Sequence, residues 1–135
     1  MKILLDTNII LDLALIREPF YDLADQIFNL IEQQKLEGYI SATTFTDIYY
    51  ILRKPRGKEW TLTFLSRLVN LCKIASVDDI TIKAALNGHY KDFEDDIQYH
   101  TAKLHQLDAI VTRNTKDYPT TSLAILSPEQ LIERF

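Results

Sequence analysis

The sequence predicts an α/β fold, a sandwich in which helices cover a mostly parallel sheet. Short apolar runs alternate with longer segments whose apolar residues recur at helical spacing. The punctuation is sparse, with 3 Gly and 4 Pro in 135 residues, and most of it falls between those segments. No internal repeat or low-complexity segment interrupts the alternation.

The elements follow in order. Lys2–Leu5 is a short buried strand that ends on Asp6, and after a turn Ile9–Leu15 is compatible with a helix. Pro19 suits a helix start, and Leu23, Ile27, Leu30 and Ile31 continue at helical spacing until Gly38 supplies a stop. Tyr39–Ser41 is a second strand and Ala42–Leu52 a second major helix. RKPRGK, Arg53–Lys58, carries a Pro and a Gly and is expected to be a loop. Trp60–Leu71 is a further helix, Lys73–Val77 a third strand, and Thr81–Asn87 a helix ending at Gly88. Asp92–Gln106 is a helix leading into a fourth strand, Ala109–Thr112. Leu123–Leu126 makes a fifth strand, and Pro128 opens a last helix.

At 135 residues the chain fits one domain, 1–135, with room for a real core. A formal charge of -4 gives no global sign of nucleic-acid binding, although a local basic patch can serve an acidic protein. The single cysteine, Cys72, excludes an internal disulfide and a cysteine-based zinc cluster, and in its apolar surroundings it reads as a buried small hydrophobe. Asp6 interrupts what would otherwise resemble a leader, and no run reaches the roughly 20 apolar residues of a membrane span. These readings point to a cytosolic protein.

In a parallel sheet the ligand site lies beyond the carboxyl ends of the strands. Asp6 follows the first strand, Asp47 lies six residues after Ser41, Asp95 begins the helix before strand four, and Asn114 and Asp117 follow that strand. Gathered at one edge, such acids repel one another, and a hard divalent cation with oxygen ligands relieves the repulsion. Each position also has a plainer reading. Asp6 and Asp117 suit turns, Asp95 suits the third position of a helix capped by Asp92, and Asp47 and Asp12 suit exposed helix faces. Joint placement favours the site. The histidines have no such placement: His100 and His105 are five apart, off a shared helix face, and His89 stands alone. Walker, GxSxG and GxGxxG motifs are absent from the sequence.

These residues together resemble the PIN domain, the nuclease fold of VapC-type toxins in toxin–antitoxin pairs. The likeness runs over nearly the whole chain, through LLDTNIILD, SATTFTD, DFEDDIQ and AIVTRNTKDY. It implies a five-stranded parallel sheet of order 3-2-1-4-5 flanked by helices, with Asp6 facing the 112–117 loop. It makes Asp6 and Asp95 (rather than Asp96) ligands of Mg²⁺ or Mn²⁺, with Asn8 and Thr112 in support. Asp47 stands where the family usually has Glu, and Asn114 where many relatives have a fourth acid, a loss of charge that Asp117 can make up. A one-ion site follows from these departures.

The implied reaction is hydrolysis of RNA by in-line attack of an activated water, with Asp6, Asp47, Asp95 and Asn114 as the catalytic set. Arg53, Lys54, Arg56 and Lys58 would hold RNA phosphates, with Arg113 beside the acids; a solvated loop is the plainer reading of the first four. Tyr49, Tyr50 and Trp60 are expected in the core or an interface rather than stacked on bases. The resemblance further implies a small antitoxin partner and a homodimer. A different class, a PIN-like RNA-binding or assembly module that no longer cuts, is the alternative. A phosphoaspartate enzyme fits less well, because Asn8 stands where a DxD pair needs its second acid.

Overall fold

The computed structural model describes residues 1–88, 92–118 and 122–135. The strand Lys2–Leu5 (β1) leads directly into the helix Thr7–Ala14 (α1), and the helix Tyr21–Glu32 (α2) follows. Next come the strand Glu37–Ser41 (β2), the helices Ala42–Arg56 (α3) and Lys58–Leu71 (α4), and the strand Lys73–Ala75 (β3). After the helices Asp79–Leu86 (α5) and Phe93–Leu104 (α6), the strand Ala109–Val111 (β4) runs into a 3₁₀ turn, Thr115–Asp117. The strand Ala124–Leu126 (β5) and the helix Pro128–Ile132 (α7) complete the chain.

The five strands form one parallel sheet in the order β3-β2-β1-β4-β5, as expected. Its residues show why both faces are covered. Ile3, Leu5, Ala109 and Val111 point into a core built with Ile9, Ile27, Ile48 and Leu52 from α1, α2 and α3. Leu4 and Ile110 point the opposite way, against Tyr99 and Ala102 of α6. Alternate residues of a strand therefore enter different cores, and near-continuous apolar runs such as KILL and AIV are what a doubly covered parallel sheet requires.

Three local readings of the sequence are corrected. Gly38 does not stop α2, which ends at Glu32 and turns away through Gln34 in the left-handed region at φ 62°. Gly38 lies inside β2, where a Cβ would stand 2.6 Å from Cδ1 of Ile31 and 3.1 Å from Sγ of Cys72. A glycine is needed there because α2 and the end of α4 press on the strand. Gly38→Ala is expected to cost about 1–3 kcal/mol, since Ile31 must move within a packed core; urea denaturation would read this as a lower midpoint with an unchanged slope.

Pro19 precedes the helix rather than opening it, since α2 starts at Tyr21. RKPRGK is not a loop either. Helix α3 continues through Pro55 to Arg56, and Gly57, at φ 86°, ends it with its N–H on the Arg53 carbonyl at 3.0 Å. Proline this near the end disrupts only the last turn, and Arg53, Lys54 and Arg56 lie where a helix C-terminus favours positive charge. Helix α4 then starts at Lys58. Among the described residues no helix is long and apolar enough to cross a membrane.

Candidate active site

The carboxyl ends of β1 and β4 open into a cleft of about 500 Å³, walled by the starts of α1, α3 and α6 and by the 3₁₀ turn. Its polar lining includes Asp6, Asn8, Asp47, Asp95, Asn114 and Asp117. Strand order explains the convergence. Strands β1 and β4 are neighbours, and the Asp6 N–H continues their ladder by donating to the Val111 carbonyl at 3.0 Å. Asp6 therefore meets residue 112 across the sheet, at the switch point where ligands gather in such folds.

Asp6 is the most constrained acid. One carboxylate oxygen accepts from the Thr7 N–H at 2.7 Å, capping α1. The other accepts from Thr112 Oγ1 at 2.7 Å and Asn8 Nδ2 at 3.3 Å. Burial pushes its pKa above the ordinary carboxylate value, the bonds from Thr112, Thr7 and Gln98 oppose that rise, and the charge of Asp117 adds to it.

On α6, Asp92 caps the helix by accepting from the Glu94 N–H at 2.8 Å, which leaves Asp95 at the third helical position. The cap reading and the site reading of this segment therefore coexist on different residues. Asp95 is half-buried, and the Tyr118 hydroxyl donates to it at 3.4 Å. Its pKa is pushed up to about 6, first by burial and then by the charges of Asp92, Asp6 and Asp117. Neighbouring Asp96 is buried at 4% exposure and does not line the cleft.

Asp47 enters the cleft half-buried from α3, and its charge helps raise the pKa of Glu94, behind burial. Asn114 and Asp117 are exposed at the rim, and the Asn114 N–H donates to Thr112 Oγ1 at 3.0 Å. Sequence reasoning missed Glu94 and Gln98. Both belong to the DFEDDIQ segment, and the available signal was that Gln98 stands three residues after Asp95 and four after Glu94 on a helix.

Two basic expectations change. Arg113 points away from the acids: its Nε donates to Asp12 at 2.7 Å, Nη2 donates to the other oxygen at 3.2 Å, and the guanidinium lies 3.9 Å from the centre of the Phe20 ring. Asp12 is correspondingly 1% exposed, not on an open helix face. Arg56 donates twice to the Ala14 carbonyl, at 2.8 and 3.2 Å, and stacks over Trp60. Arg53, Lys54 and Lys58 line a second groove of about 670 Å³ with Tyr49, Tyr50 and Pro55. Tyr50 is 67% exposed and Trp60 41%, so neither lies in the core. His100 and His105 do not line the acidic cleft, and His89 lies outside the described residues.

The donor set is all oxygen. Among the described residues, no group of three acid, histidine or cysteine side chains closes into a metal-holding cluster. The acids ring the cleft instead. That arrangement fits a hard ion held by one or two carboxylates and otherwise hydrated, and it does not fit a softer ion that needs a closed cage.

The model of a family described as "PIN domain" matches residues 2–116. Ribonuclease VapC1 of Aquifex aeolicus (strain VF5) is 25% identical over 139 residues, covering 99% of this chain and 95% of that protein. A toxin–antitoxin complex from Klebsiella pneumoniae contains a chain that is 28% identical, with a TM-score of 0.70 over 93% of this chain and 96% of its own. VapBC2 from Rickettsia felis, bound to a DNA fragment from its promoter, also gives 0.70, over 94% of this chain and 98% of its own; at 17% identity that likeness speaks to the fold alone.

Proposed function

The chain belongs to the PIN domain family, and on that premise we propose that it is a divalent-metal-dependent endoribonuclease, the toxin of a toxin–antitoxin pair. The observation that carries this reading is the pairing of Asp6 and Asp95 across one cleft. Arg113, next in sequence to the Thr112 that binds Asp6, is turned away onto Asp12, and among the described residues no Lys, Arg or His lines the cleft to offset the two acids. Burial holds both carboxyls above their ordinary pKa, helped at Asp6 by the charge of Asp117 and at Asp95 by those of Asp92, Asp6 and Asp117, and such a site gains from an external cation.

Asp6 and Asp95 would hold Mg²⁺ or Mn²⁺, with Asp47, Asn114 and Asp117 around them. Bound there, the ion would neutralise phosphodiester charge and lower the pKa of a water. The chain's own work is orientation. Thr112, Asn8 and Thr7 fix the Asp6 carboxylate, and Tyr118 fixes that of Asp95. Asp47 lines the same cleft from α3 and would orient the attacking water. The RNA strand would extend to the groove of Arg53, Lys54 and Lys58, where Tyr49 and Tyr50 offer rings for stacking. A single domain acting in the cytoplasm, an antitoxin partner and a homodimer complete the proposal; exposed apolar residues such as Trp60, Leu62 and Val69 supply surface for protein contacts.

Calorimetric titration of Mn²⁺, followed by cleavage of a panel of RNA oligonucleotides with Mn²⁺ or with chelator, tests it. Saturable binding with metal-dependent cleavage is expected. Metal-independent RNA binding without cleavage would instead establish the non-cutting module, a reading favoured by the separation of the basic groove from the acids. Replacing Arg53, Lys54 and Lys58 together with Ala should raise KM, leave kcat within about twofold and lower the salt slope by up to about three, one per phosphate contact.

A further inference from the structure

We propose that Asp12 is a positioning residue for the acidic cleft: through Arg113 it clamps the segment leaving β4 onto α1 and so holds Thr112 on the Asp6 carboxylate. The inference deepens the nuclease reading and rests on it for its kinetic consequences. Two successive residues make the join through three contacts. Thr112 donates through Oγ1 to Asp6 at 2.7 Å, the Arg113 N–H donates to Asn8 Oδ1 at 3.4 Å, and the Arg113 side chain forks onto Asp12. Asn8 and Asp12 are four apart on α1, one turn along the same face, so the 112–113 segment is fixed at three points along one helix.

The clamp is built for rigidity. Asp12 is 1% exposed, Arg113 binds it with two parallel bonds, Phe20 stacks on the guanidinium, and Arg17 lies 3.7 Å from the same carboxylate. A planar fork on a carboxylate fixes orientation as well as distance, which a point charge does not. Because Asp12 is buried, although Arg113 keeps 24% exposure, much of the pair's attraction is offset by desolvation, and it adds little net stability compared with an apolar pair of similar volume. Its distinct effect is to fix the loop. That loop also carries Asn114, whose N–H binds Thr112, and Asp117, whose charge reaches both Asp6 and Asp95.

The full chain is compared as wild type, Asp12→Asn, Arg113→Lys, and a double variant combining Asp12→Leu with Arg113→Met. Amide hydrogen exchange at residues 112–117, Mn²⁺ titration and steady-state RNA cleavage are measured on each. Asp12→Asn and the double variant should exchange at least about tenfold faster at 112–117 than wild type, with protection of β1 and β2 unchanged. Mn²⁺ affinity and kcat should fall by about 10–100-fold, as when groups orienting a ligand are removed, with KM for RNA unchanged. The double variant removes the buried carboxylate together with Arg113 and leaves only Arg17, which at 37% exposure is met by solvent, so its melting temperature should stay near wild type and its losses are not those of unfolding. Arg113→Lys should fall between.

Unchanged exchange and Mn²⁺ affinity in folded Asp12→Asn would overturn the proposal. So would a raised KM and smaller salt slope in Arg113→Lys at unchanged kcat, which would assign Arg113 to RNA. If wild type neither binds Mn²⁺ nor cuts RNA, the nuclease reading fails, while exchange at 112–117 still decides whether the clamp exists.

Discussion

Asp6→Asn is expected to abolish saturable Mn²⁺ binding and to lower RNA cleavage by at least about 100-fold, the upper end of what losing a mere orienting partner costs a metal site. It should do so without lowering the stability of the metal-free protein at neutral pH. Both halves follow from the same geometry. Asp6 is the acid on which Thr7, Asn8 and Thr112 converge, so its carboxylate is presented to the cleft in one orientation. An amide keeps the shape but removes the charge that a cation needs. The raised pKa of Asp6 means that its surroundings, despite those bonds, disfavour the anion relative to water. Removing the charge therefore relieves the folded state. Activity and stability are set against each other here, as at sites where repelling groups are gathered for function. Calorimetry and thermal melts on the same preparation check the pair of outcomes, and retained Mn²⁺ binding would place the metal site elsewhere.

The strands and the place of Asp6 at the end of the first were legible in the sequence because they depend on a local rule, apolar runs that break at an acid; the order that brings the ends of β1 and β4 together came from the family resemblance. The corrected positions depend on partners far along the chain. Asp12 reads as an exposed helix acid until Arg113, at 101 residues' separation, closes on it. Gly38 reads as a stop until the packing of Ile31 and Cys72 shows that it leaves no room for a Cβ. In RKPRGK the signal was present but assigned to the wrong residue. Pro55 falls close enough to the helix end to be tolerated, and Gly57, with its positive φ, is the actual terminator. Charge alone misled in the same segment, since Lys54 faces an open groove and Arg53 lies there over the Tyr50 ring at 4.9 Å, whereas Arg56 is bound to the Ala14 carbonyl. Sequence distinguishes basic from acidic, but not a free cation from one already partnered.

Without metal, stability should fall as pH rises from about 4 to about 6, the reverse of an ordinary acid-denaturation limb. Asp95 has a folded pKa of about 6 against an ordinary value of 3.8, and Asp6 is raised in the same direction. Between those values the folded state holds more protons than the unfolded state, so the slope of unfolding free energy against pH is negative. The contribution is fully present below the unfolded pKa and lost as pH passes the folded one. Glu37 and Asp78, whose pKa values are lowered, act oppositely, and their contribution is lost only as pH falls below the ordinary carboxylate range; His100, lowered by burial, also opposes the trend as pH nears its ordinary value of 6.5. A divalent ion binds the ionised carboxylates, so protons compete with it, and Mn²⁺ should stabilise increasingly as pH rises through about 6. At a free concentration of about 100 times Kd the gain is about 2.7 kcal/mol. Melts across this range, in chelator and in Mn²⁺, should give curves that diverge as pH rises. Asp95→Asn should flatten both, because it removes the titrating group and a ligand together. Parallel curves for wild type would show that Mn²⁺ binds without displacing protons from these acids, and the cleft would then lose its claim to the metal.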